Sequence, residues 1–240
     1  MIKVVSCLHR LPSLSREEFQ AHFIERYAQL LLEIPVLRAY VQYHTAGTNP
    51  MSRPKVGAAE PFDGFEVFYW DSLDALREVA AGDENYIAAK RDQKLFMDAQ
   101  RSFTAYVAEK VIVELEPPAE MALVECHMHR AGQTRADFHA SWLSVHGDFG
   151  RKIYKTGLMP GYLQNQIVDL DPAIAASLGF DQKTFDGVGF AYYHSVAQLI
   201  ACASLPIVAR DAFQAEDQFT DQKKLGSVLA RRHVLRSCTR

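Results

Sequence analysis

Ser15-Arg16-Glu17-Glu18-Phe19, followed by Phe23 and Tyr27, returns later in the chain as Thr134-Arg135-Ala136-Asp137-Phe138, followed by Trp142 and His146. Each of these pairs is separated by 119 positions (15 to 134, 27 to 146). Further on, Phe62-Asp63-Gly64 returns as Phe185-Asp186-Gly187 at a separation of 123, which Leu76 and Leu199, Phe96 and Phe219, Asp98 and Asp221, and Val111 and Val234 also keep. One module is therefore used twice, each copy of about 115 residues, an ordinary domain size. The copies differ at one chemically telling position: Tyr27 in the first stands where the second has His146.

Working outward, residues 2–9 and 121–129 alternate like strands. Ser15 with Glu18 three places on is a helix-starting capping box, and Thr134 with Asp137 is a weaker version. Phe19, Phe23, Leu30 and Ile34 then recur near helical spacing. Second strands are predicted at 38–45 and 160–168, followed by a loop ending in Phe-Asp-Gly and third strands at 65–70 and 188–194. Ser72 and Ser195 open second helices over 73–80 and 196–205. A further helical stretch precedes last strands at 106–115 and 231–237. The expected division is a first repeat over 1–116, a proline-rich linker over 117–120 and a second repeat over 121–240. In the linker the prolines stop the strand and stiffen the chain. Each copy thus reads β-α-β-β-α-β, a ferredoxin-like α+β pattern. A sheet with helices on one face must bury its other face. Two such repeats can pack their antiparallel sheets into an α+β barrel, with a cavity between the sheets or between each sheet and its helices.

The formal net charge of -3 and pI near 6.3 argue against a nucleic-acid partner, which needs a concentrated basic face. Arg231, Arg232 and Arg236 are too few to reverse that. No apolar run approaches the ~18 residues of a membrane span, and Met1-Ile2-Lys3-Val4-Val5 opens as a strand without a signal-peptide pattern. A cytoplasmic protein without a membrane partner is the expectation. Cys7, Cys126, Cys202 and Cys238 lack metal-site spacing and read as reduced; Cys238 is expected to be exposed. The chain has no nucleophile elbow, glycine-rich phosphate loop, zinc-peptidase helix motif or dinucleotide fingerprint.

What remains is acid–base chemistry. An imidazole near neutrality can take or give a proton, so His146 is the first catalytic candidate, against the plainer reading of a buried histidine bonded to a carbonyl. Phe138, Trp142 and His146 fall on one helical stripe. Glu125, His127 and His129 share one strand face, expected to look into the cavity left where the sheets stack. Their spacing also suits a metal ion. Tyr162, Gln164 and Gln166 share a face of the next strand. Tyr162 is a second catalytic candidate, as a donor to a developing oxyanion. Asp186 most simply fixes a turn, and could also orient His146 as a carboxylate holds an imidazole in other enzymes. Trp142, Phe190, Tyr192 and His194 complete the expected pocket.

Phe138-x-x-x-Trp142-x-x-x-His146-Gly147 after Arg130, with Tyr162-x-Gln164, Asp186-Gly187, Glu216-Asp217 before Phe219 and Asp221, and Arg232-His233-Val234-Leu235, resembles the EthD family of the dimeric α+β-barrel superfamily. The resemblance runs over almost the whole chain, twice. It implies a barrel usually made by two subunits and here by two repeats, with a homodimer also open. It further implies chemistry without metal or organic cofactor on phenolic, polyketide-derived or lactone compounds. In the first copy Phe23 and Tyr27 replace tryptophan and histidine, so that repeat is expected to be structural. The function that follows is a cofactor-free lyase, decarboxylating or eliminating from an aromatic or polyketide-like small molecule. In it His146, Tyr162 and Asp186 act, while Glu125, His127, His129, Trp142, Gln164, Phe190, Tyr192 and His194 bind. Alternatives are a cofactor-independent monooxygenase or isomerase in the same cavity, and a non-catalytic small-molecule binding protein.

Overall fold

Thr134 Oγ1 accepts from the Asp137 N–H at 3.1 Å while the Thr134 N–H donates back to Asp137 at 3.0 Å. Ser15 and Glu18 make the same reciprocal pair at 3.1 and 2.8 Å. Both copies therefore start their first helix with a complete capping box, and such caps are worth about 1 kcal/mol each. In this computed structural model, which describes residues 1–48, 62–181, 184–208, 216–221 and 226–237, each capped helix runs in three parts. Helix α1 (Arg16–His22) passes through a wide π turn, Phe23–Tyr27, into α2 (Ala28–Leu32). Helix α5 (Arg135–Ser141) passes through the π turn Trp142–His146 into α6 (Gly147–Tyr154).

Among the described residues the eight strands are β1 (Ile2–Leu8), β2 (Leu37–Thr48), β3 (Gly64–Trp70), β4 (Phe103–Val113), β5 (Met121–His127), β6 (Gly161–Ile167), β7 (Gly187–Tyr193) and β8 (Gly226–Arg236). They pair antiparallel in the order β1-β3-β2-β8-β5-β7-β6-β4, and β4 returns to β1. The pairs β2–β8 and β4–β6 cross from one repeat to the other, so a single chain closes the barrel and leaves no sheet edge. The last strands begin at Phe103 and Gly226, earlier than expected, because polar Thr104 and Ser227 interrupt the apolar pattern while still pairing.

Helices α3 (Leu73–Gly82) and α4 (Glu84–Asp92) back the first repeat, and α8 (Val196–Ala203) the second. The second repeat's counterpart of α4, like Cys238, falls largely or wholly outside the described residues. The loop expected before β7 holds a helix, α7 (Pro172–Leu178), whose Leu178 joins the first repeat's core with Phe19, Phe23, Phe96 and Trp70. Among the described residues no helix is long and apolar enough to cross a membrane.

Strand alternation sorts side chains to two places. Val5, Cys7, Val124, Cys126, Phe65, Phe103, Val188 and Phe190 fill the barrel interior, while Val4 and Leu8 pack under the first repeat's helices. This corrects the expectation that the polar face of β5 lines the space between the sheets. That space is packed with apolar side chains, and Glu125 and His127 look the other way, toward the helices. Strands β1 and β5 keep the separation of 119, Cys7 Sγ and Cys126 Sγ lie 3.7 Å apart, and Leu8 is the counterpart of His127.

Candidate functional site

The site assembles where the second repeat's π turn crosses β6. Trp142 and His146 mark the ends of that turn, a widening often found at functional positions. His146 Nδ1 is 2.7 Å from Tyr162 Oη, and His146 Nε2 is 3.4 Å from Glu216 Oε1. All three residues are buried. With a carboxylate facing Nε2, the imidazole keeps its proton there, and Nδ1 accepts from the Tyr162 hydroxyl. Gln164 Nε2 donates to the Trp142 carbonyl at 2.8 Å and approaches Tyr162 Oη at 3.3 Å, which fixes the tyrosine from behind. Burial above all pushes the Tyr162 phenol well up, the nearby Glu125 and Glu216 carboxylates adding to it. Tyr162 is thus a neutral hydrogen-bond donor.

Two glycines make room for this arrangement. A Cβ at Gly187 would sit 2.4 Å from Trp142 Cζ3, and one at Gly150 would sit 2.6 Å from Tyr162 Cδ1. Trp142 therefore lies flat on β7, and Tyr162 against α6. The His127 ring is centred 5.0 Å from that of Trp142 and 6.5 Å from that of His146, and Thr220 Oγ1 is 3.3 Å from His127 Nδ1. Trp142 Nε1 and Gln164 Oε1 are buried with no hydrogen-bond partner among the described residues.

Other candidates fall elsewhere. Phe190 and Tyr192 point into the barrel interior, on the opposite face of β7 from Trp142, where the Tyr192 hydroxyl meets that of Tyr43 at 2.8 Å. Period-2 alternation puts them there once His127 and Tyr162 take the helix side. His194 lies exposed beyond β7 against the Pro118 carbonyl. Asp186 does not orient His146. Its carboxylate accepts from the His129 N–H at 2.6 Å, His129 Nδ1 at 2.8 Å and Arg135 Nε at 2.8 Å. Burial alone would raise this carboxyl, but the Arg135 and His129 bonds hold it below its ordinary value. Asp63 binds the Arg10 N–H and Arg16 Nε in the same way, so this is a turn clamp common to both copies. His129 is committed to it, and among the described residues no three His, Cys, Asp or Glu side chains converge as a metal site.

A family model for the EthD domain matches residues 11–100 and again 130–223. The chain belongs to the EthD family. No curated protein matches it significantly. Among solved structures, an anthrone oxidase-like protein superposes with a TM-score of 0.63 at 10% identity, covering 97% of this chain and 92% of its own. A candidate monooxygenase from Fusobacterium nucleatum gives 0.57 at 10% identity over 98% and 92%. Another from Lactobacillus acidophilus NCFM gives 0.50 at 12% over 98% of each chain. At such identities these likenesses establish the shared barrel.

The two EthD repeats also expose a residue that sequence reasoning did not assign. Glu216 stands at the position of Gln93 (separation 123), and Gln93 Nε2 donates to Tyr27 Oη at 2.8 Å. Tyr27 with Gln93, and His146 with Glu216, are two versions of one contact. Aligning the repeats through to the last helix would have found it.

Proposed function

We propose that the second EthD repeat is a cofactor-free acid–base catalyst, and that its reaction is an elimination or decarboxylation of a hydroxylated aromatic or polyketide-like molecule. The observation that carries this reading is the buried relay Tyr162–His146–Glu216. An imidazole fixed by a carboxylate on one nitrogen and offering the other to a hydroxyl is arranged to move a proton. In an elimination, His146 Nδ1 removes a proton from the carbon next to a substrate carbonyl. Tyr162 donates to the enolate oxygen, and the imidazolium then protonates the departing hydroxyl, which leaves as water. In a decarboxylation His146 Nδ1 first takes the proton of the substrate carboxyl, and the electron pair of the breaking carbon–carbon bond moves onto the conjugated oxygen held by Tyr162. Carbon dioxide leaves, and the imidazolium gives that proton to the carbon as the electron pair returns from the oxygen. Both sequences balance without an oxidant. Trp142 supplies a ring-binding wall, and Trp142 Nε1 and Gln164 Oε1 offer a buried donor and acceptor to substrate polar groups.

A second reading uses the same base to make an electron-rich carbanion that reacts with dioxygen, an activity class in keeping with the oxidase and monooxygenase names of the structural relatives. Oxygen uptake and carbon dioxide release, measured over a panel of phenolic acids and hydroxyketones, separate the two. Turnover that survives intact in His146→Gln would overturn both.

A further inference from the structure

The first repeat has lost the histidine but holds a buried polar cluster at the same depth. Glu66 is 1% exposed, and its oxygens face the Tyr40 hydroxyl at 3.0 Å and the Tyr27 hydroxyl at 3.4 Å. Gln42 and Gln93 support those tyrosines at 2.7 and 2.8 Å. Between the repeats the carboxyl of this layer has changed strands. Glu66 pairs across the sheet with Ser6, whereas the matching pair in the second repeat is Gly189 with Glu125. Tyr27 and Tyr40 donate to it, as a buried carboxyl requires, and the second repeat has glycine at that position.

Glu66 also borders open space. A cavity with about 30 Å³ available to water centres is lined by Ser6, Tyr27, Glu66, Lys90, Gln93 and Thr104 at its polar end. Room of that size admits a hydroxyl group or a pair of waters. Lys90, Gln93, Thr104 and Phe180 line both this cavity and a neighbouring cleft of about 650 Å³, which Pro172, Ala175 and Ala176 of α7 also line. Helix α7 belongs to the second repeat, so each site of this chain would be built differently although the repeats share one fold.

We propose that the first repeat is a second small-molecule site, taking a neutral hydroxylated aromatic compound with its hydroxyl against Glu66 and its ring in the cleft beneath α7. The polar end matches a hydroxyl, which can donate to a carboxylate and accept from Tyr27 or Tyr40. A cationic head is disfavoured because Lys90 already lies near, its ammonium 5.6 Å from the Tyr86 ring centre. An anionic head would face the Glu66 carboxyl. Burial, opposed by the Tyr40 bond and Lys90, pushes Glu66 up to about 7, which lets it either give or take the hydrogen bond near neutrality.

The test is calorimetric titration of the full chain with resorcinol, using its dimethyl ether as a control without donors. It is run in a His146→Ala background so that the second repeat's relay does not contribute. Saturable resorcinol binding stronger than that of the ether is expected. Glu66→Gln should weaken it roughly tenfold, the value of about one buried hydrogen bond. Ala176→Trp, on the exposed side of α7, should block the cleft without disturbing the core, and it decides the matter if Glu66→Gln fails to fold. Absence of resorcinol binding in the His146→Ala protein, or binding that neither substitution changes, overturns the proposal. Neither result bears on turnover at His146.

Discussion

His146 and Tyr162 meet at 2.7 Å, whereas their counterparts Tyr27 and Tyr40 are bridged by the carboxyl of Glu66. The same pair of positions thus serves an imidazole–phenol contact in one repeat and a phenol–carboxyl–phenol contact in the other. Tyr162→Phe removes the donor and leaves His146 Nδ1 facing a ring edge. The protein should lose about 1 kcal/mol of stability. Turnover should fall by roughly two to three orders of magnitude in kcat with little change in KM, the pattern of a group that acts in the transition state. Steady-state kinetics on any substrate found in the panel above checks this. A change confined to KM would make Tyr162 a binding residue.

Gly187→Ala tests the seat of Trp142. The added methyl would stand 2.4 Å from Cζ3 and 2.9 Å from Cη2 of the indole, so the ring must move or the strand must bend. Overpacking of this kind costs about 1–3 kcal/mol. A lowered urea midpoint is expected, with an altered tryptophan near-ultraviolet signal. Adding Trp142→Phe should recover much of the loss, since Phe23 sits over Gly64 in the first repeat with a Cβ clearance of 3.2 Å.

The barrel was legible because the repeat fixes element order twice and β-α-β-β-α-β leaves one face of each sheet to bury. Which face of β5 looks at the helices was not. Alternation groups Glu125 with His127 but is silent about direction, and only barrel closure, with Cys7 against Cys126, decides it. That ambiguity put Phe190 and Tyr192 on the wrong side. Helix α7 carried ordinary signals, an Asp171 side chain capping Ala173 and Ile174 and Gly179 at a φ of 68°. It was passed over because it has no counterpart in the first repeat. Glu66 escaped notice for the opposite reason: comparison highlighted what the first repeat had lost at Tyr27, not what it had gained one strand away.

Asp186→Asn should separate the turn clamp from the relay. The side chain is almost wholly buried and holds Arg135 at 2.8 Å and His129 at two points. Removing its charge takes from Arg135 one of its two carboxylate partners, Asp169 remaining, and should cost roughly 2 kcal/mol. Asp63→Asn should cost less, because Arg10 and Arg16 are both 3.3 Å away and more exposed. Activity per folded molecule should be unchanged in both, as shown by denaturant midpoints and turnover measured on the same samples. A loss of kcat in folded Asp186→Asn would return Asp186 to the catalytic set.

Glu66 and His44 give the protein two opposed responses to pH. Burial raises Glu66 from 4.5 to about 7, so the folded state binds this proton more tightly than the unfolded chain. The resulting contribution is complete below pH 4.5 and is lost as pH rises through 7, amounting to roughly 3 kcal/mol. Burial, with His233 beside it, lowers His44 from 6.5 to about 3. Its contribution is present above pH 6.5 and is lost as pH falls toward 3. Between 4.5 and 6.5 the two slopes have opposite signs. Over that window Glu66→Gln should leave a protein whose stability rises more steeply with pH than the parent's, and His44→Gln one whose stability falls more steeply. Urea unfolding of the three proteins across the window measures this directly. Three parallel curves would mean that neither group changes its proton affinity on folding, and Glu66 would then keep its ordinary carboxyl value in the folded chain.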